Sequence, residues 1–359
     1  MQQNKVKVQL SGRSASMLGC LWGRAQMSRE YSSLFYDAKA IELAEKIEYV
    51  HVHGCCSTSD VPPFQDIMFD IFHEINVLGP FTLRIKQFDA KIRTYIAQHP
   101  RASVICLAAG LDATFYRVDN GLIRWYDLDL PAVIEVRKQL LPEPDRVTYI
   151  AKSLLDPSWY EDIKHTEDGV FIMAEAVLPF FEESEIKQFF SMLANNFPCG
   201  EIVFEVPSKL GTDIGAWIGV VPQEQRNAMR TATIEAMKDW WEKAPQNQKD
   251  TLHDMIATLK TATKPKSKEW ADIEVWWNQL SDKGQEWVVR DLLTSFSRDF
   301  IKWALEDANE ITRWDSRIIL MDQFPIYRNI PRDSLSVEIR QFMDYSDENT
   351  LFNIIHLRL

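Results

Sequence analysis

The chain has 359 residues, with 40 Lys and Arg against 52 Asp and Glu and a formal net charge of −12. That length builds one large domain or a domain with a substantial insertion, and the acidic balance excludes non-specific binding to nucleic acid or to an anionic membrane as its purpose. The five cysteines (20, 55, 56, 106, 199) are odd in number and contain no CxxC, no apolar run is long enough for a membrane span, and the N-terminus lacks an apolar signal core; together these predict free thiols and a cytoplasmic location.

Residues 1–100 read as a mostly helical cap. Apolar residues at helical spacing run from Leu34 to Tyr49, and a second helix is predicted from Phe81 to Gln98, ending before Pro100. From 103 to 207 the character changes. Strands are predicted at 103–108, 123–128, 147–152, 169–175 and 201–206, separated by helices at 131–141, where Pro131 takes the first helical position, and at Glu182–Asn196. Such alternation makes a parallel sheet with helices on both faces. Residues 208–300 show no convincing strand. They are helical in composition, polar over 243–268, and rich in tryptophan (217, 240, 241, 270, 276, 277 and 287). This stretch reads as a helical insertion or lid with mobile joints, whose tryptophans either form its own core or line an apolar pocket; it also offers surface for a homodimer contact. Strands return at Arg317–Asp322 and Asn353–Leu357, so that 101–207 and 301–359 together form the core of the sheet.

The chemistry concentrates in two places. Ser103-Val-Ile-Cys-Leu-Ala-Ala-Gly-Leu-Asp112 is an apolar run ending in a small-residue turn, and Ile123-Arg-Trp-Tyr-Asp-Leu-Asp129 is a second run ending in two acids. This is the layout of a nucleotide-type cofactor site at the ends of adjacent parallel strands, with acids able to accept hydrogen bonds from ribose hydroxyls. A dinucleotide fingerprint has more glycines than the single Gly110, and a pyrophosphate needs bare amides where Asp112 stands. An acid there repels phosphate but tolerates S-adenosylmethionine, which has a ribose, no phosphate and a cationic sulfonium. The plainer alternative is a strand–turn–helix with a capping Asp and no ligand; the acids Asp127 and Asp129 at a strand end weigh against it, since burying them uncompensated is costly. The seven histidines have no metal-ligand spacing beyond His51 and His53 beside Cys55-Cys56, and no metal is expected.

With these elements placed, the chain resembles the leucine carboxyl methyltransferase family, in its bacterial polyketide O-methyltransferase-like branch. The blocks that carry the resemblance are Arg84-Ile-Lys-Gln-Phe-Asp89, Val104-Ile-Cys-Leu-Ala-Ala-Gly-Leu-Asp-Ala-Thr-Phe-Tyr-Arg117, Trp125-Tyr-Asp-Leu-Asp-Leu-Pro131, Met173-Ala-Glu-Ala-Val-Leu-Pro-Phe-Phe-Glu182, and an N-terminal set of Leu10-Ser-Gly12, Arg24-Ala25 and Asp37. The resemblance implies a class I methyltransferase: a Rossmann-like, seven-stranded, mostly parallel α/β sheet with N-terminal helices and a helical lid. It implies S-adenosylmethionine as cofactor and a small-molecule methyl acceptor, a carboxylate or an acidic enol or phenol. A protein C-terminus, or a non-catalytic interaction role on the same fold, are the alternatives.

By position, the resemblance places Arg84 at the methionine carboxylate and Ala108, Ala109 and Gly110 against the methionine moiety. It puts Asp129, with Asp127, at the ribose, Ser153 and Leu154 beside the adenine, and Glu175 with Ala176 near the ammonium and the transferring methyl. Arg24 and Phe180 fall on the substrate side. No catalytic base is nameable. The chain departs from the family pattern at Ala108, where a glycine is usual, at Ser153, where an acid is usual, and at Pro179-Phe180, where a tyrosine is usual.

Overall fold

The computed structural model describes residues 5–8, 14, 16–48, 81–213, 223–259, 261 and 263–359. At the N-terminus a short strand β1 (Val6–Lys7) pairs in parallel with β2 (Ile47–Glu48), and between them lie helices α1 (Ser16–Glu30) and α2 (Ala38–Lys46). The helix predicted over 34–49 is shorter than its periodicity implied, for two local reasons. Asp37 caps its start by accepting from the Ala40 amide at 2.8 Å, and Ile47 turns extended to enter β2. Helix α3 (Ile85–Gln98) then leads into the alternating region.

That region runs β3 (Ser103–Leu107), α4 (Thr114–Val118), β4 (Arg124–Asp129), α5 (Pro131–Leu140), β5 (Val147–Ala151), β6 (Val170–Ala174), α6 (Glu183–Asn196) and β7 (Glu201–Pro207). Every predicted strand is present within a residue or so of its expected bounds. Strands β3 and β6 are buried at every position, as central parallel strands covered on both faces must be. Alternation sorts their side chains: Val104 and Cys106 join a cluster with Phe88, Ile92, Trp125 and Phe171, while Ile105 and Leu107 join one with Trp159, Phe189, Phe190 and Trp303. Helix α6 starts in a capping box between Glu182 and Glu185.

Four helices follow: α7 (Gln223–Lys243), α8 (Gln246–Thr258), α9 (Trp270–Gln279) and α10 (Asp282–Phe300). The polar stretch expected as a mobile joint thus contains a full helix, α8, anchored through Leu252 and Ile256. These helices build their own apolar cluster, with Trp241, Trp276 and Trp277 inside it. The chain closes with α11 (Asn309–Trp314), β8 (Ile319–Pro325), α12 (Val337–Glu348) and β9 (Phe352–Arg358).

The main sheet has seven strands in the order β5-β4-β3-β6-β7-β9-β8, all parallel except β9, which runs antiparallel between β7 and β8. This is the order and polarity of the class I methyltransferase fold. From β3 the chain winds outward through β4 and β5, then returns to β6 on the other side of β3. That reversal opens a crevice beyond the carboxyl ends of β3 and β6, where open α/β sheets hold ligands.

Candidate active site

A cavity of about 310 Å³ fills this crevice, within the size range of small-ligand pockets. Its floor is the turn after β3. Ala108 and Gly110 both take left-handed backbone, at φ 52° and 46°. Glycine is needed at 110 for a second reason: a Cβ there would meet the Cβ of Met17 at 3.1 Å. Ala108 adopts the same strained region with a side chain, which explains why a glycine is the usual residue there. Asp112 closes the turn by accepting from the Thr114 amide (2.8 Å) and hydroxyl (3.0 Å); the N-cap of α4 is Ala113, without a side-chain cap, so Asp112 ties the turn and does not cap the helix as the sequence suggested. Burial works to raise the Asp112 carboxyl, but Arg117, Arg24 and the Thr114 amide together hold it below its ordinary range.

The two acids of β4 part company. Asp129 lines the cavity, its Oδ2 accepting from the Gly110 amide at 2.8 Å and its Oδ1 from Leu130 at 2.7 Å. Asp127 does not line the cavity. It is fully buried, accepting from Arg137 at 2.6 Å and from the Trp125 indole at 2.7 Å, while Arg137 also donates to the Gly110 carbonyl at 3.0 Å. The expected ribose pair is thus one ligand-facing carboxylate and one ion pair that pins the turn from below. Ser153 and Leu154, at the end of β5, and Glu175 with Ala176, at the end of β6, all lie in the wall.

Arg84 is also not where a surface helix would put it. It is 2% exposed and outside the cavity lining, with Nη2 donating to Glu175 (2.7 Å), Nε to Glu205 (3.2 Å) and Nη1 to the Phe81 carbonyl (2.8 Å). Its guanidinium is committed to the protein, so it reaches the site through Glu175. Glu175, itself a wall residue, keeps a second carboxylate oxygen buried and without a hydrogen-bond partner. That orphaned acceptor fits an ammonium group. Burial raises the Glu175 carboxyl against the opposing charge of Arg84.

The buried cation that does line the cavity is Arg24, from α1. Its Nη2 donates to the Leu111 carbonyl at 2.8 Å, but Asp37 and Asp112 lie 3.8 and 3.9 Å away and its Nε makes no hydrogen bond. Phe180 lines the cavity and packs edge-to-face on Phe300 at 4.5 Å. No tryptophan of α7–α10 is among the lining residues; Trp276 spends its indole on the Thr263 carbonyl at 2.8 Å. Trp217 and the His51–Cys56 cluster lie outside the described residues. Among the described residues His165, Glu167 and Asp168 form a metal-sized group, largely exposed and away from the cavity.

Sequence reasoning missed Met17 and Cys20, which α1 contributes to the wall, and Glu205, which stands behind Glu175. Glu205 carried a usable signal: it is an acid inside the apolar run Ile202-Val-Phe-Glu-Val-Pro207, the same pattern that drew attention to Glu175. The first turns of α1 carried none, because a cavity-lining face and a core face look alike in one sequence.

Residues 18–194 match the model of a family described as leucine carboxyl methyltransferase. The chain is 27% identical over 199 residues to the tetracenomycin polyketide synthesis O-methyltransferase TcmP of Streptomyces glaucescens, covering 55% of this chain and 67% of that protein. It is 23% identical over 223 residues to the S-adenosyl-L-methionine-dependent methyltransferase dpfgK of Gibberella zeae, covering 58% and 70%. Among solved structures, a DUF574 family protein from Streptomyces avermitilis aligns over 97% of both chains at 11% identity and a TM-score of 0.45. No helix among the described residues is long and apolar enough to cross a membrane. Residues 18–194, which run from α1 through the cavity wall to the end of β6 and beyond, thus carry the match to the leucine carboxyl methyltransferase family, and the chain is an S-adenosylmethionine-dependent methyltransferase.

Proposed function

We propose that the protein O-methylates a small organic acid, either a carboxylate or an acidic enol or phenol. The observation that carries this reading is Arg24: a guanidinium 3% exposed, at the cavity wall, whose ion pairs to Asp37 and Asp112 are long, at 3.8 and 3.9 Å, and whose Nε makes no hydrogen bond. Pairs this long leave guanidinium N–H groups free to donate short, charge-assisted hydrogen bonds to an anionic acceptor in the cavity. The similarity to TcmP, whose name describes O-methylation in polyketide synthesis, supports the same acceptor class.

When bound, S-adenosylmethionine supplies an electrophilic methyl on sulfur. The chain's own residues then have three tasks. Asp129, Ser153 and Leu154 take the nucleoside end, Asp129 with both oxygens already oriented by backbone amides. Glu175 takes the ammonium through its free oxygen, and Ala108–Gly110 form the wall beside it. Arg24 orients the anionic acceptor, and Phe180 with Phe181 excludes water from the cavity. A carboxylate acceptor is ionised at neutral pH and needs no base; a phenol gains from the cation, which stabilises its anion. This division of labour needs no residue in the role of general base. The nearby thiol of Cys20 is not a candidate, since burial pushes it up.

The test is product analysis with methyl-labelled S-adenosylmethionine and three acceptor sets: phenolic polyketides, small carboxylic acids, and peptides with free C-termini. Label in a base-stable ether or a base-labile ester of a small molecule is the expected outcome. Label confined to peptide C-termini overturns the reading. Arg24→Met should raise KM for the acceptor while leaving cofactor affinity within a few-fold; the reverse pattern would move Arg24 to the cofactor.

A further inference from the structure

Behind the cavity wall, two carboxylates share one guanidinium. Glu205, 2% exposed, stands in β7; Glu175 stands at the end of β6; Arg84, at the start of α3, lies between them. Glu205 does not line the cavity. Its Oε1 accepts from Arg84 and also from the amide of Ala176, the residue after Glu175, which sits in left-handed backbone at φ 51°. The second oxygen of each carboxylate has no partner. With both acids ionised, the buried cluster is therefore one negative charge in excess.

The other groups facing it do not remove that excess. Cys20, on α1, and Tyr327, after β8, both lie close enough to interact, and burial pushes both the thiol and the phenol up, so both stay neutral. Arg24, from α1, and Arg117, from α4, also act on Glu175 as cations, but each is shared with Asp37 and Asp112 or Asp89, and the charge of Asp112 opposes them at Glu175. A buried pair of acids around a single cation holds a proton rather than a bare charge, unless a second cation arrives.

We propose that Glu205 is a positioning residue for cofactor binding: through Arg84 and the Ala176 amide it fixes Glu175 at the wall, and the excess charge of the two carboxylates is reserved for the ligand's ammonium group, whose arrival expels the proton the pair holds into solvent. This rests on the placement of the ammonium at Glu175. The raised Glu205 carboxyl, pushed up to about 7 by burial and by the charge of Glu175 against that of Arg84, puts the exchange in an accessible pH range.

Titration calorimetry of the full chain with S-adenosylhomocysteine tests it, run from about pH 5.5 to 7.5 in two buffers of different ionisation enthalpy. Affinity should rise with pH across this range, by up to about tenfold per unit, with protons released on binding. Glu205→Gln keeps an acceptor for the Ala176 amide but cannot hold the proton, so its profile should be flat and its affinity above pH 7 lower than that of the unaltered chain. A purely structural role would lower affinity at every pH and leave the slope intact. Binding without proton release in the unaltered chain overturns the proposal, and this arm does not depend on the variant folding. A slope that survives Glu205→Gln also overturns it. No binding of S-adenosylhomocysteine at any pH would instead sink the cofactor placement itself.

Discussion

The two sides of the cavity are built on different principles. On the β3–β4 side both strand carboxylates are fully hydrogen-bonded inside the protein: Asp127 is matched to Arg137 and the Trp125 indole, and both oxygens of Asp129 accept backbone amides. On the β6–β7 side the charges do not balance, two carboxylate oxygens have no partner, and Ala176 is held in left-handed backbone. The difference separates rigid scaffold from ligand-responsive surface. The first side presents a finished shape to a nucleoside, while the second is completed only by a cation that the chain does not supply.

The largest effects should come from breaking the buried pairs themselves. Arg84→Ala leaves Glu175 and Glu205 facing each other without a cation, and Asp127→Ala leaves Arg137 alone; each should cost about 3–5 kcal/mol of stability, read by urea denaturation. Asp127→Asn keeps a hydrogen-bonding partner for Arg137 and isolates the scaffold role. If the folded Asp127→Asn protein lost cofactor affinity as badly as a variant at Glu175, the two sides would not be distinct.

Glu175→Gln is the matched change on the responsive side. Removing the charge that faces a buried ammonium should weaken S-adenosylhomocysteine binding roughly 30-fold or more, while chain stability holds or rises because one buried charge is gone. Equilibrium binding and thermal melting on the same preparation separate the two readouts.

A smaller effect should appear in the pH dependence of the ligand-free protein. The Glu205 carboxyl stands at about 7 when folded, against an ordinary 4.5. Between those values the folded chain holds more protons than the unfolded one, so this group makes stability fall as pH rises from about 4.5 to 7. The span sets an upper bound of about 3 kcal/mol on its contribution. The difference in melting between the unaltered chain and Glu205→Gln, followed over that window, isolates it; curves that stay parallel would remove Glu205 from the titrating pair.

Much of this architecture was legible in the sequence because burial on both faces leaves a plain mark. The apolar runs that became β3, β6 and β7, the Pro131 helix start and the small-residue turn all follow from local chemistry. What was not legible is which charges meet. Asp127 and Asp129 share a strand face, yet Asp127 lies roughly 7 Å deeper, where Arg137 reaches it; from sequence Arg137 is only a basic residue in the last turn of a helix. Arg84 reads as one more arginine on a polar stretch, and its partners lie 91 and 121 residues away. The tryptophans of α7–α10 failed as pocket candidates for a related reason: their spacing shows that one face is apolar, not which neighbour covers it.

The finest contrast between the two sides is at their alanines. Ala108 and Ala176 occupy the same left-handed region, at φ 52° and 51°, a conformation that costs a non-glycine residue about 1–2 kcal/mol. Glycine relieves that cost but gains freedom in the unfolded chain worth about 0.4–1 kcal/mol, so each substitution should raise stability by no more than about 1 kcal/mol. Binding should tell the two apart. Ala108→Gly relaxes a turn already fixed by Asp129, through Gly110, and by Arg137, so cofactor affinity should stay within about twofold. Ala176→Gly loosens the one backbone position that Glu205 must hold to aim Glu175, and its affinity should fall by several-fold despite the gain in stability. Equal affinities for the two variants would mean that the Ala176 conformation is a by-product of the turn and not part of how the β6–β7 side grips its ligand.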